Sequence, residues 1–93
     1  MIKEFADDAT RDVFEGRAPK SLPKDVLSAA RRKLRYLDSA TTLNDLKVPP
    51  GNKLHPLTHD RAGRHAIWIN HQYRLCFCWA ADGVYEVEIT DYH

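Results

Sequence analysis

Histidine, arginine, aspartate and tyrosine crowd the second half of this sequence in a mixture that can move protons and neutralise phosphate. All five histidines, His55, His59, His65, His71 and His93, follow Gly51, and Arg61, Arg64, Arg74, Asp91 and Tyr92 lie among them. Cleaving RNA without a metal needs a base for the 2′-hydroxyl proton, cations or hydrogen-bond donors for the charge developing on the phosphate oxygens, and an acid for the departing 5′-oxygen. Histidine fills either proton role near neutral pH, because its reference pKa is about 6.5. Arginine stays charged and grips a phosphate through two parallel hydrogen bonds. A ring such as Tyr92 can stack on a base.

Other chemistries find less support. The chain has no G-x-x-x-x-G-K-[ST] loop, no G-x-G-x-x-G, no H-E-x-x-H and no G-x-S-x-G, so nucleotide binding, zinc proteolysis and serine hydrolysis have no local signature. His55 and His59 have the spacing of metal ligands on a helix, but Pro56 between them argues against a helix there. Metal-dependent hydrolysis by His55, His59 and His93 stays as a competing reading. Cys76 and Cys78 stand two apart in a predicted strand, side by side on one face, a geometry unsuited to a disulfide, and are read as reduced packing residues.

These side chains need a frame. At 93 residues, with 43% hydrophobic and 29% charged residues, the sequence predicts one soluble domain over 1–93 built on one core. The net charge of +1 hides an uneven layout, with most Lys and Arg before Gly51. No apolar run approaches the roughly 20 residues that span a bilayer, and Met1-Ile2-Lys3-Glu4-Phe5 lacks a signal-peptide apolar stretch, so a cytoplasmic location without membrane contact is expected.

Met1 to Phe5 suits a short edge strand, and Asp7 and Asp8 offer caps for a first helix ending near Gly16. A Gly- and Pro-bearing connection, Gly16 to Pro23, leads to a second helix from Asp25 to about Ala40, with Leu27, Ala30, Leu34 and Leu37 at helical spacing. Arg31, Arg32, Lys33 and Arg35 lie mainly between them and, with Lys24, form a basic face suited to RNA phosphates. Thr41 to Asn52 shows no sustained period and is expected to be a loop. Pro56 restricts Lys53 to Leu57 to a strand end or edge. Arg64 to Asn70, Tyr73 to Trp79 and Val84 to Thr90 alternate as strands, and the connections Asn70-His71-Gln72 and Ala81-Asp82-Gly83 are short enough for hairpins. The expected fold is α+β, two N-terminal helices packed on a mainly antiparallel sheet.

In order along the chain stand Leu43-Asn44-Asp45-Leu46, Pro49-Pro50-Gly51-Asn52-Lys53-Leu54-His55-Pro56-Leu57, Asp60-Arg61-Ala62-Gly63, Ile67-Trp68-Ile69-Asn70, Tyr73-Arg74-Leu75-Cys76-Phe77 and Val87-Glu88-Ile89-Thr90-Asp91-Tyr92-His93. This ordered series resembles HigB toxins of the RelE-like superfamily over nearly the whole chain. The resemblance implies a RelE-like ribonuclease fold and a metal-independent endoribonuclease, without cofactor, that cuts messenger RNA during translation on the ribosome. It implies a HigA-like helix-turn-helix antitoxin as partner, with operator DNA met only through that antitoxin. Carried over by position, the active-site residues are His55, Arg74, Asp91, Tyr92 and His93. His55 and His93 are assigned to proton transfer, Arg74 to the scissile phosphate, Tyr92 to base stacking or transition-state support, and Asp91 to orienting a neighbour. Lys53 and Arg61 join Arg31, Arg32, Lys33 and Arg35 as RNA-binding residues. Many relatives place a basic residue and then Gly after Leu-His-Pro-Leu, where this chain has Thr58 and His59. Thr58 removes a positive charge that His59 could replace, and it leaves an alternative in which a catalytically degenerate toxin acts as an antitoxin-binding corepressor.

Overall fold

Asp7 starts the first helix of the computed structural model, which describes residues 1–57 and 63–92. Its carboxylate accepts the Thr10 backbone N–H at 2.8 Å, satisfying one of the donors that a helix start leaves open. Helix α1, Asp8–Phe14, is too short to be stable alone and is held by packing. Val13 is buried, and the buried Thr10 hydroxyl oxygen accepts the Ile89 N–H at 3.0 Å.

Helix α2, Lys24–Ser39, falls within one residue of its predicted ends and buries Val26, Leu27, Ala30, Leu34 and Leu37. The basic stripe expected on it is corrected at Lys33, which is 6% exposed. Lys33 faces inward because residues 26, 30, 33 and 37 share one side of the helix. Its neighbour Arg31 also turns to the protein, donating from Nε to the Val13 carbonyl at 3.1 Å and from Nη2 to the Arg17 carbonyl at 3.0 Å. Arg32 and Arg35 remain exposed.

The segment expected as a loop contains two short 3-10 turns, Leu43–Lys47 and Pro50–Asn52. The first is fixed by a capping box between Thr42 and Asp45, a T-x-x-D pattern that needs no apolar period. The second ends at Lys53, whose left-handed backbone turns the chain into the sheet.

Four strands follow as an antiparallel meander in the order β1-β2-β3-β4: β1 His55–Pro56, β2 Arg64–Trp68, β3 Tyr73–Ala80 and β4 Gly83–Asp91. Met1 to Phe5 does not form the expected strand; it makes isolated parallel bridges to β4, Ile2 with Val84 and Phe5 with Val87. Cross-strand partners share a face and successive residues alternate. Ile67, Tyr73, Leu75, Phe77, Val84, Val87 and Ile89 accordingly join Val13, Leu34 and Leu37 in one core between the sheet and both helices. Val84 and Val87, three apart, both reach that core because a bulge at Glu86 (φ 53°), between the pairs Cys76–Glu88 and Cys78–Tyr85, resets the alternation. The two helices on one face of the antiparallel sheet make the fold α+β. No helix among the described residues is long and apolar enough to cross a membrane.

Candidate functional site

The sheet face turned away from the helices carries the polar members of the alternation. Registers place His55 beside Ala66, Ala66 beside Cys76 and Cys76 beside Glu88 as one row, with Trp68, Arg74 and Thr90 as the next. Lys53, two residues before His55, reaches the same face, its Nζ lying 3.8 Å from the centre of the Trp68 ring.

Arg74 is the most constrained cation there. Its Nη1 donates to the carbonyls of Asn70 at 2.6 Å, His71 at 3.2 Å and Tyr73 at 3.2 Å. Its guanidinium carbon lies 4.1 Å from the Trp68 ring centre and 5.4 Å from that of Tyr92. The β2–β3 hairpin supplies two of the three carbonyls, and the flanking aromatics restrict the swing of the side chain. Nε and Nη2 have no protein acceptor among the described residues, which leaves a two-donor edge suited to an anion.

Tyr92 leans back over the sheet, its hydroxyl 3.7 Å from Cys76 Sγ. Burial, first, and the Cys76 contact push its phenol above the ordinary value of 10.0, against the opposing effect of Arg74 and Arg64. It is therefore a proton-bearing donor at neutral pH. In His55, Nδ1 lies 2.9 Å from the Lys53 carbonyl oxygen. A carbonyl accepts and never donates, so Nδ1 carries the hydrogen and the neutral ring presents the Nε2 lone pair outward. Two strand spacings, roughly 10 Å, separate the backbones of His55 and Cys76, a gap wide enough for a phosphodiester.

Asp91 lies apart from this group. It pairs with Tyr73, on the helix side of the sheet, and accepts from Gln72 Nε2 at 3.1 Å. Consecutive residues of an extended strand cannot both face Arg74, so Asp91 faces the opposite surface from Tyr92. His93, His59 and Arg61, with Thr58, lie outside the described residues. His65 turns towards the core, its ring stacked 6.1 Å from Phe77, while His71 sits in the hairpin with its ring edge-on to Trp68 at 5.8 Å. Helix α2 covers the other face, so Arg32 and Arg35 do not line the Arg74 site.

Two members of this face, Trp68 and Cys76, escaped selection as site residues, and Arg64, already counted among the phosphate-neutralising groups, joins them there. Trp68 was readable as a site neighbour, since it alternates with Ile67 and Ile69 and a short hairpin sets it opposite Arg74. Cys76 follows from the same register. Arg64 is 7% exposed, with Nη1 3.6 Å from a Glu86 carboxylate oxygen and Nε unpartnered among the described residues.

Comparison with known proteins finds relatives over most of the chain. A family described as the RelE-like toxin of type II toxin–antitoxin system HigB matches residues 3–93. Toxin HigB-1 of Vibrio cholerae is 38% identical over 85 residues, covering 90% of this chain and 88% of that protein. An uncharacterized protein of Haemophilus influenzae is 29% identical over 76 residues, covering 81% and 75% respectively. Among solved structures, the YoeB-YefM complex from Staphylococcus aureus contains a chain that superposes with a TM-score of 0.62 at 19% identity, covering 100% of this chain and 98% of that one. At that identity the likeness concerns the fold.

Proposed function

The chain belongs to the HigB-like family of RelE-like toxins of type II toxin–antitoxin systems, and from that premise we propose that it is a ribosome-dependent, metal-independent endoribonuclease of one domain. It acts in the cytoplasm on messenger RNA under translation, arrests growth, and is neutralised by a HigA-like helix-turn-helix antitoxin through which alone it meets operator DNA. The observation that carries this reading is Arg74, anchored by three carbonyls and two aromatic rings with a two-donor edge left over, on the same face as His55 and Tyr92.

In the proposed reaction His55 Nε2 takes the proton of a 2′-hydroxyl, whose oxygen attacks the adjacent phosphorus. Arg74 Nε and Nη2 hold the non-bridging oxygens as their charge grows. The bond to the 5′-oxygen breaks, that oxygen takes a proton, and a 2′,3′-cyclic phosphate is left. Tyr92, protonated beside Arg74, and His93 share the acid end, and Asp91 orients the segment that bears them. Arg32 and Arg35 on α2, with Arg31, lie on a second surface suited to ribosomal RNA, whereas Lys53 and Arg61 belong to the messenger path. Lys33, being buried, leaves that set.

Induction of wild type and Arg74→Ala in bacteria lacking the antitoxin, with messenger RNA ends mapped by primer extension, tests the reading. Growth arrest and cuts within translated regions from wild type alone support it. Absence of cuts from wild type, with antitoxin binding retained, replaces it with the degenerate corepressor.

A further inference from the structure

Trp68 brings two cations together that carry no carboxylate. Lys53 from the β1 side and Arg74 from β3 both lie over the ring of Trp68 on the strand between them, at 3.8 and 4.1 Å from its centre. Neither makes an ion pair with an Asp or Glu among the described residues, although thirteen acidic residues are present in the chain. Two like charges within reach of one ring repel, and the electron-rich faces of the indole offset that repulsion. The ring's other ring neighbour is polar too: His71 meets it edge-on. An aliphatic residue would fill the space without attracting either cation.

We propose that Trp68 is a positioning residue that holds Lys53 and Arg74 as one paired-cation site for adjacent phosphates of an RNA strand, Arg74 on the scissile phosphate and Lys53 on its neighbour. The inference rests on the ribonuclease reading and extends it, since it gives Lys53 a fixed place relative to the reacting phosphate. Arg74 is held doubly, its Nη1 by carbonyls and its guanidinium carbon 4.1 Å from the Trp68 ring centre. Among the described residues Lys53 has no carbonyl anchor, and Trp68 supplies what fixes its ammonium. Lys53 should therefore respond more to loss of the ring than Arg74 does.

The test compares wild type, Trp68→Phe and Trp68→Leu by two measurements. The first is the NMR signal of the Arg74 Nε–H, assigned by its disappearance in Arg74→Lys. The proposal expects a ring-current shift in wild type, retained in part in Trp68→Phe and reduced in Trp68→Leu to what the Tyr92 ring contributes, with all three thermally folded at the temperature of measurement. The second is affinity for a single-stranded 2′-O-methyl oligoribonucleotide, which binds without being cleaved, over a range of salt. Trp68→Leu should bind roughly tenfold more weakly with a shallower salt slope, and Trp68→Phe within about threefold of wild type.

Equal binding by wild type and Trp68→Leu, or equal damage in Trp68→Phe and Trp68→Leu, overturns the inference while leaving the ribonuclease reading intact. If wild type shows the clamped Arg74 signal but binds no oligonucleotide, the positioning by Trp68 stands and the RNA-binding reading is what fails. Should Trp68→Leu prove unfolded, Lys53→Met decides instead. It removes one cation from an exposed site, and wild-type binding and salt slope in that variant overturn the paired site.

Discussion

The buried ammonium of Lys33 in α2 donates to Asn52 Oδ1, and through that bond the helix holds the turn from which Lys53 and His55 emerge. Burial, first, and the neighbouring Arg32 lower the Lys33 pKa from its ordinary 10.5. Asn52 also donates from Nδ2 to the Leu46 carbonyl at 3.0 Å and the Val48 carbonyl at 3.4 Å. Asn52→Ala orphans a buried charge and two carbonyls, so it is expected to cost about 3 kcal/mol. Lys33→Met orphans one neutral acceptor and should cost roughly 1–2 kcal/mol. Urea unfolding of the two single variants and the double variant measures this. The double variant should lose less than the two single losses added together.

Arg74→Lys keeps the charge and removes the fork. A lysine cannot hold three carbonyls and present two further donors, nor place a delocalised planar cation near both Trp68 and Tyr92. Single-turnover cleavage of messenger RNA on programmed ribosomes is expected to fall by about 10²–10³-fold, the usual cost of losing a donor aimed at developing charge. Stability should stay within about 1 kcal/mol of wild type, because the residue is half-buried and not part of the core. A rate within threefold of wild type would remove Arg74 from the scissile phosphate.

Helix α2 and the β-meander were legible because their periods are long enough to count: four apolar residues at helical spacing, then alternating strands joined by short turns. The 3-10 turns were hidden because five residues cannot display a period. Lys33 was misplaced because residue type outweighed spacing; position 33 lies in register with Val26, Ala30 and Leu37, and Asn52, nineteen residues away, with the Tyr36 ring 5.6 Å from the ammonium, makes a lysine tolerable there. Arg74 and Tyr92 stood in the phosphate-handling mixture by residue type, and the family resemblance assigned them to the active site. Asp91 was grouped with Tyr92 although strand alternation sets neighbours on opposite faces, and the Lys53–Trp68–Arg74 cluster depends on a register that no single segment encodes.

Asp45 predicts an acid-sensitive step in stability. Backbone N–H groups of Thr42, first, and Thr41, then the Thr41 hydroxyl, hold its carboxyl below the ordinary 3.8. A depressed folded-state pKa contributes stability that is present above pH 3.8 and is lost as pH falls through the lower, folded value. Asp45→Ala should therefore melt below wild type at pH 6, with the gap closing as the pH is lowered past 3.8. Thermal melts of both chains from pH 6 to pH 2 read the difference. A gap that persists unchanged at pH 2 would show that Asp45 acts by shape rather than by charge.

Tyr92→Phe separates the ring from its hydroxyl. The ring lies over Arg74 and survives the substitution, so RNA affinity should change by less than threefold, whereas loss of the donor beside the leaving oxygen should slow cleavage about 10²-fold. The pH dependence has a defined sign. Burial and the Cys76 contact raise the phenol above 10.0, so the proton is present throughout the neutral range and leaves only as pH climbs beyond that value. For stability, a raised folded-state pKa contributes fully below pH 10 and is lost as pH rises through the folded value, since the unfolded chain ionises first. Wild type should lose stability above pH 10 faster than Tyr92→Phe, with Tyr85 and Lys33 common to both and cancelling in the difference. Parallel urea titrations from pH 8 to pH 11 measure that divergence, and identical curves together with an unchanged cleavage rate would place the Tyr92 hydroxyl outside the chemistry.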